Sequence, residues 1–159
     1  MAATIALDRI DRRILACLQA EGRLTNQALS ERVALSPSAC LARVRRLERA
    51  GVIEGYHARL DPFSLGAGLV LFAEVTLKAH GPGDLARFEA AVKALPQIVE
   101  VSHVSGAFDY LLKVVVADMA EWTRLGEQLT AASVGGDRIN THVLMGKPKV
   151  FVGYPVPTD

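Results

Sequence analysis

Four arginines crowd one short stretch, LSPSACLARVRRLERAGVI, Leu35 to Ile53, interleaved with leucine, valine and cysteine. A guanidinium is a planar, permanently charged fork of donors, so it suits phosphate oxygens and the guanine edge. At 100° per residue, Cys40, Leu41, Val44 and Leu47 gather on one side of a helical wheel. Arg43, Arg45, Arg46 and Arg49 fan over the other. The stretch predicts a helix with a core face and a cationic face. Ser36 before Pro37 marks its start and Gly51 its end. Arg43 and Arg46, one turn apart, are candidates for base edges. Arg45 and Arg49 suit phosphates or ion pairs. Ser36, Ser38 and Ala39 are short, so the helix start can approach a duplex closely. Thr25 and Asn26, opening the preceding helix, can donate to a phosphate there, and Thr25 is equally a plain N-cap.

A lone basic helix is more often a solvated surface than a binding face. Two features favour nucleic acid here. Residues 1–55 hold nine arginines, no lysine and six acids, a net +3, whereas the remainder carries net −2. The basic helix is also the third of a tri-helical unit with a tight turn before it, the helix-turn-helix pattern, which implies double-stranded DNA as partner.

A second stretch with chemical potential is VSGAFDYLLK, Val104 to Lys113. It reads as a hairpin-like turn, with glycine for a positive φ and aspartate for a side-chain-to-backbone bond. It also reads as a ligand loop, in which Gly106 exposes backbone N–H groups and Asp109 offers a carboxylate to an ammonium group. The histidines are His57, His80, His103 and His142, and no third ligand completes a metal site, so no metal or cofactor is expected. No phosphate loop, nucleophile elbow or catalytic carboxylate pair is found.

The elements that must position these residues follow from periodicity. Asp8 caps a first helix with Ile10, Ile14, Cys17 and Leu18 on one face, and Gly22 ends it. Thr25 opens a second, carrying Leu29 and Val33, which stops near Ala34. Residues 52–67 predict a strand-like exit and a linker, punctuated by Asp61-Pro62 and Gly66. From Gly68 the pattern alternates, with Ala73, Val75 and Leu77 on one side of a strand. A helix with Leu85, Phe88, Val92 and Leu95 follows, capped by Asp84, then strands over QIVEVSHV and YLLKVVV. Asp118 caps another helix, with Met119, Trp122, Leu125 and Leu129 facing inward, and RINTHVLM is the last strand. The tail from Gly146 carries three prolines and one short edge strand. Residues 68–146 thus read β-α-β-β-α-β, the split β-α-β of ferredoxin-like folds. The fold class is α+β, a winged-helix-like helix-turn-helix domain over 1–53, a linker over 54–67 and a ferredoxin-like domain over 68–159. Helices cover one sheet face, and a homodimer packed sheet against sheet suits the other.

Two cysteines without metal spacing, Cys17 and Cys40, predict a reduced cytoplasmic protein with both as small buried hydrophobes. Asp8, Arg9, Asp11, Arg12 and Arg13 break any signal-peptide apolar run. The longest apolar stretch, near Gly68 to Val75, is too short for a membrane span.

The run from LDRIDRRIL through LSPS to RVRRLERAGVI resembles the N-terminal half of Lrp/AsnC regulators, the leucine-responsive or feast/famine family. VSGAFDYLLKVVVADM resembles the signature of their C-terminal domain, and the resemblance runs from about Leu7 to Met145. It implies a DNA-binding transcriptional regulator rather than an enzyme, whose C-terminal domain senses an amino acid. It also implies dimers that assemble further, often to octamers. The implied effector residues are Val104, Gly106, Asp109, Tyr110, Met119, Thr141, His142 and Leu144. Departures are Ala107, where relatives usually carry an acid, Ala39, where proline is common, and AASVGGDRINT, which lacks a Leu-Pro-Gly-Val turn. Two alternatives are an architectural DNA-binding protein without effector, favoured by Ala107, and a small enzyme using Asp109 with His103 or His142.

Overall fold

The computed structural model describes residues 5–157. The chain divides into two compact units: one takes the chain up to Arg59 together with the tail from Lys149, the other spans Leu60–Pro148.

The first unit is built on three helices, α1 (Arg9–Ala20), α2 (Asn26–Val33) and α3 (Pro37–Arg49). Each starts at a side-chain oxygen: Asp8 for α1, Thr25 for α2 and Ser36 for α3. Those caps satisfy N–H groups that a helix start leaves unpaired. Ile14, Leu29, Val33, Cys40 and Leu47 form the buried centre, with Val44 and Ile53 packed against it. Cys17 is half-buried beside the fully buried Cys40. Leu41 departs from its expected place and is 37% exposed, because three short helices close around Cys40 and Leu47 and leave the flank of α3 open. Residues 52–62 form no regular element, so the expected strand-like exit is absent. An isolated extended segment has no ladder partner to hold it.

The tail belongs to this unit. Tyr154 N–H donates to Gln19 Oε1 at 2.6 Å, and Gln19 Nε2 donates to the Tyr154 carbonyl at 2.9 Å. One side-chain amide of α1 thus pairs with one peptide as a neighbouring strand would. This side-chain contact replaces the expected edge strand, and residues 144–157 contain no strand. Between Phe151 and Tyr154, whose rings meet edge-on at 5.0 Å, Gly153 turns the chain at φ +132°.

In the second unit a 3-10 turn (Phe63–Leu65) leads into β1 (Leu69–Leu77), α4 (Pro82–Lys93), β2 (Ile98–His103), β3 (Tyr110–Val116), α5 (Met119–Thr130) and β4 (Gly136–Val143). The sheet order is β2-β3-β1-β4 with every pairing antiparallel, as the β-α-β-β-α-β reading requires. Leu71, Ala73, Val75 and Leu77 of β1 and Tyr110, Leu112, Val114 and Val116 of β3 are buried with Phe88 and Val92 of α4 and Trp122, Leu125 and Leu129 of α5. Intervening residues on the other sheet face are half-buried, among them Phe72, Glu74, Leu111 and Lys113. Two expectations change. Asp84 stands inside α4 at its third position and accepts from Gly81 N–H at 3.2 Å, since Pro82 has already set the helix start. Met119 is 50% exposed rather than inward, because it is the first residue of α5 and the apolar stripe engages only from Trp122 onward.

Candidate nucleic-acid interface and effector loop

The arginine row rides on a helix fixed at its start. Ala39 N–H donates to Ser36 Oγ at 3.3 Å, and Asn26 Nδ2 reaches from α2 to the Pro37 carbonyl at 2.8 Å. Thr25 Oγ1 accepts from Ala28 N–H at 3.2 Å. Asn26, offered by sequence to a phosphate, therefore has a partner inside the fold that locks the turn between α2 and α3. Ser36, Ser38 and Ala39 are all exposed there.

Arg43 and Arg46 are held by α1. Asp11 is wholly buried and accepts from Asp8 N–H at 3.1 Å, from Arg43 Nη1 at 2.9 Å and from Arg46 Nη2. Asp8 completes the cluster, accepting from Asp11 N–H at 2.8 Å and from Arg43 Nη1 at 2.6 Å. The Asp11 N–H, and after it the Arg43 guanidinium, hold the Asp8 carboxyl down at about 2. Asp8 and then Asp11 raise the Arg43 pKa further above its usual value. The two arginines that one-turn spacing offered to base edges thus have their charge answered within the fold.

Asp11 is the residue that sequence reasoning missed. Its signal was present: on the wheel it lies about 20° from Leu18, so an acid stood on the apolar stripe and needed a cation.

Arg45 and Arg49 stand apart from this cluster. Both are exposed, and neither has an ion-pair partner among the described residues. Arg49 Nε donates to the Arg45 carbonyl at 3.2 Å. Ser38, Ala42, Arg45 and Arg49 fall within about 60° on the wheel, an open stripe of short and cationic side chains.

The effector candidates occupy separate places. Val104 N–H donates to the Asp109 carbonyl at 2.9 Å and closes a hairpin loop in which Gly106 has φ +134°. The Asp109 side chain does not bond within its own turn. Its Oδ2 accepts from Leu77 N–H at 2.7 Å, and His80 Nε2 lies 3.0 Å from each carboxylate oxygen. Burial opposes ionisation of Asp109, but the Leu77 N–H and His80 outweigh it and leave the pKa below its usual value. The histidine beside Asp109 is therefore His80, not the His103 or His142 of the enzyme alternative. His103 stacks on Tyr110 at 4.7 Å, and His142 Nε2 lies 3.3 Å from Glu74 Oε1. Tyr110 is buried, and desolvation followed by its bond to Glu89 at 3.1 Å pushes its phenol up to about 12.

Met119 and Leu144 lie at the far end of the sheet: Leu144 N–H donates to the Val70 carbonyl at 2.9 Å, and Met119 follows the last residue of β3 by three positions. The seven residues of β3 between that end and the loop span about 20 Å. Thr141 faces the helices, where its Oγ1 accepts from Trp122 Nε1 at 3.1 Å, and His142 faces the other way. One chain brings Val104, Gly106, Asp109 and Tyr110 together and leaves Met119, Thr141, His142 and Leu144 apart from them. Among the described residues no group of three His, Cys, Asp or Glu is placed to hold a metal. No helix among them is long and apolar enough to cross a membrane.

Two family models match separate stretches of the chain. A family model described as winged helix-turn-helix DNA-binding matches residues 7–54. The Lrp/AsnC ligand binding domain model matches residues 70–151. The leucine-responsive regulatory proteins of Escherichia coli K12 and Salmonella typhimurium are each 48% identical over 143 residues, covering 90% of this chain and 87% of theirs. A transcriptional regulator of Neisseria meningitidis, solved as a complex with L-Met, superposes at TM-score 0.85 with 36% identity, over 94% of this chain and 97% of that one. A feast or famine regulatory protein of M. tuberculosis complexed with L-methionine superposes at 0.82 with 32% identity, over 96% and 100%.

Proposed function

Because this chain belongs to the Lrp/AsnC family of DNA-binding transcriptional regulators, we propose that it reads DNA with the open stripe of α3 and that an amino acid sets how it does so. The observation that carries the DNA face is the split among the arginines. Arg45 and Arg49 are exposed and lack an ion pair among the described residues, whereas Arg43 and Arg46 are engaged by Asp11. We assign Arg45 and Arg49 to phosphates, and Ser36, Ser38 and Ala39 to the groove, where short side chains permit close approach. Thr25 and Asn26 hold the entry of α2, where backbone N–H groups meet a phosphate. Arg43 and Arg46 aim the helix, and reach DNA only by exchanging a carboxylate for a phosphate.

The effector is an amino acid in this reading, as L-methionine is in the two solved relatives. Asp109 receives its ammonium group. Val104, Gly106 and Tyr110 shape the loop around it. Met119 and Leu144 lie too far from that loop to join it within one chain, and Thr141 is bonded to Trp122 instead, so in this reading the site is completed between copies. That requirement supports a homodimer that assembles further, to an octamer as the end state, with effector and DNA binding reciprocally linked. The half-buried sheet face around Phe72 and Leu111 is the surface assigned to the dimer, and paired half-sites on DNA follow from its symmetry. The protein works in the cytoplasm.

The test is thermal unfolding of the full chain against the common amino acids, followed by DNA binding with and without any hit. A ligand at a hundred times its Kd adds about 2.7 kcal/mol when it binds only the folded state. A shift accompanied by a change in DNA affinity supports the switch. Intact DNA binding with no shift for any amino acid favours an architectural protein, with Ala107 as the reason.

A further inference from the structure

We propose that His80 is a built-in stand-in for the ammonium group of the effector, and that a ligand must displace it from Asp109 to bind. The inference rests on the assignment of Asp109 to that ammonium and adds the residue that competes for it.

His80 Nε2 lies 3.0 Å from both oxygens of Asp109, the position a cationic ligand head would take. The carboxylate is fixed from the other side by Leu77 N–H at 2.7 Å, a backbone donor of β1 that cannot turn away. The two partners differ in freedom. The Asp109 side chain is 20% exposed, and that of His80 is 60% exposed, in the turn between β1 and α4. The imidazole can therefore swing into water without opening the core, while the carboxylate stays in place. Once it swings out, a partly buried carboxylate keeps one N–H donor and needs another, which an ammonium supplies as a charge-assisted bond.

Among the described residues, His103 also lies near enough to favour the Asp109 anion, but only Leu77 and His80 bond to its carboxylate. Arg87 is paired with Asp84 on α4, Glu89 accepts from Tyr110, and His103 is stacked on the Tyr110 ring. Position 107 is alanine, so Asp109 is the sole carboxylate of the loop. His80 thereby competes with the ligand at Asp109. It weakens alike every ligand whose cationic head must take that carboxylate, and leaves a ligand without one unaffected.

The experiment is calorimetric titration of the full chain with L-methionine, L-leucine and L-phenylalanine, and with the same acids lacking the α-amino group. Wild type, His80→Ala, His80→Gln and Asp109→Asn are compared. His80→Ala should bind the best amino acid on the order of tenfold tighter, the scale of one exposed charge-assisted contact. His80→Gln, which retains a side-chain N–H donor, should fall between. The deaminated acid should bind both His80 variants and wild type equally. Equal amino-acid affinity in wild type and His80→Ala overturns the proposal while leaving Asp109 as the ammonium site. Undiminished binding to Asp109→Asn, or no binding of any amino acid to any variant, overturns the assignment of Asp109 itself.

Discussion

The Arg43 guanidinium stands 2.9 Å from the carboxylate of Asp11, which is wholly buried, and the pair ties α3 to α1. Removing the acid leaves Arg43 and Arg46 without their shared partner. Both arginines are part-exposed, at 30% and 43%, so water recovers some of the loss. Asp11→Asn is therefore expected to cost about 1–3 kcal/mol, below the range for fully buried pairs. Urea unfolding checks this as a lower midpoint at unchanged slope. An unchanged midpoint would remove Asp11 from the account of how the recognition helix is aimed.

The exposed arginines should behave differently. Arg45→Ala and Arg49→Ala are each expected to lower the slope of log affinity against log salt by about 1 and to weaken all duplex sequences alike. Folding stability should stay within about 0.5 kcal/mol of wild type. Arg46→Ala should instead lose stability together with DNA affinity. Fluorescence anisotropy across a salt series, paired with unfolding, separates the two pairs of arginines.

Asp8 gives a pH signature. Its pKa is depressed to about 2 by the Asp11 N–H and then by Arg43. A depressed carboxyl contributes stability that is fully present above its unfolded pKa near 3.9 and lost as pH falls through the folded value. The melting temperatures of wild type and Asp8→Asn should thus differ at pH 6 and converge between about pH 4 and pH 2. A constant gap across that window would show that Asp8 acts only through its shape.

Thr141 tests which candidates are structural. Its hydroxyl accepts from the Trp122 indole at 3.1 Å. Thr141→Val should cost about 1 kcal/mol and alter the fluorescence of the single tryptophan without any ligand present. An unaltered emission spectrum would free Thr141 for a role in ligand contact.

Legibility in the sequence differed from one feature to the next, and for physical reasons. The caps at Thr25 and Ser36 and the order of strands and helices were visible because they rest on local spacing: a hydroxyl before a helix, alternation along a strand. The burial of Asp11 and the capture of Asp109 by His80 were not, because each joins residues 29 or more positions apart whose meeting depends on packing. Leu41 and Met119 were misplaced for a related reason. A wheel ranks directions around one helix and is silent on how far its neighbours extend. The docking of Tyr154 on Gln19 lay beyond periodicity altogether, since neither residue belongs to a repeating pattern.

Gly153 tests that last contact. A Cβ there would lie 2.6 Å from Gln19 Oε1, and its φ of +132° strains any other residue. Gly153→Ala should release the tail, seen as faster tryptic cleavage after Lys149 at unchanged melting of the Leu60–Pro148 unit.

That tail also bears on the order of synthesis. The three helices leave the ribosome early, yet the peptide that pairs with Gln19 lies 135 residues further along. At about 5–20 residues per second, the nascent chain carries an incomplete DNA-binding head for roughly seven seconds or more. Until Tyr154 emerges, the end of α1 presents an open amide donor and acceptor to whatever strand passes, including the same segment of a neighbouring nascent chain. A regulator made this way keeps its first-made helices waiting for a segment made much later, and the head is complete only once Tyr154 has been synthesised.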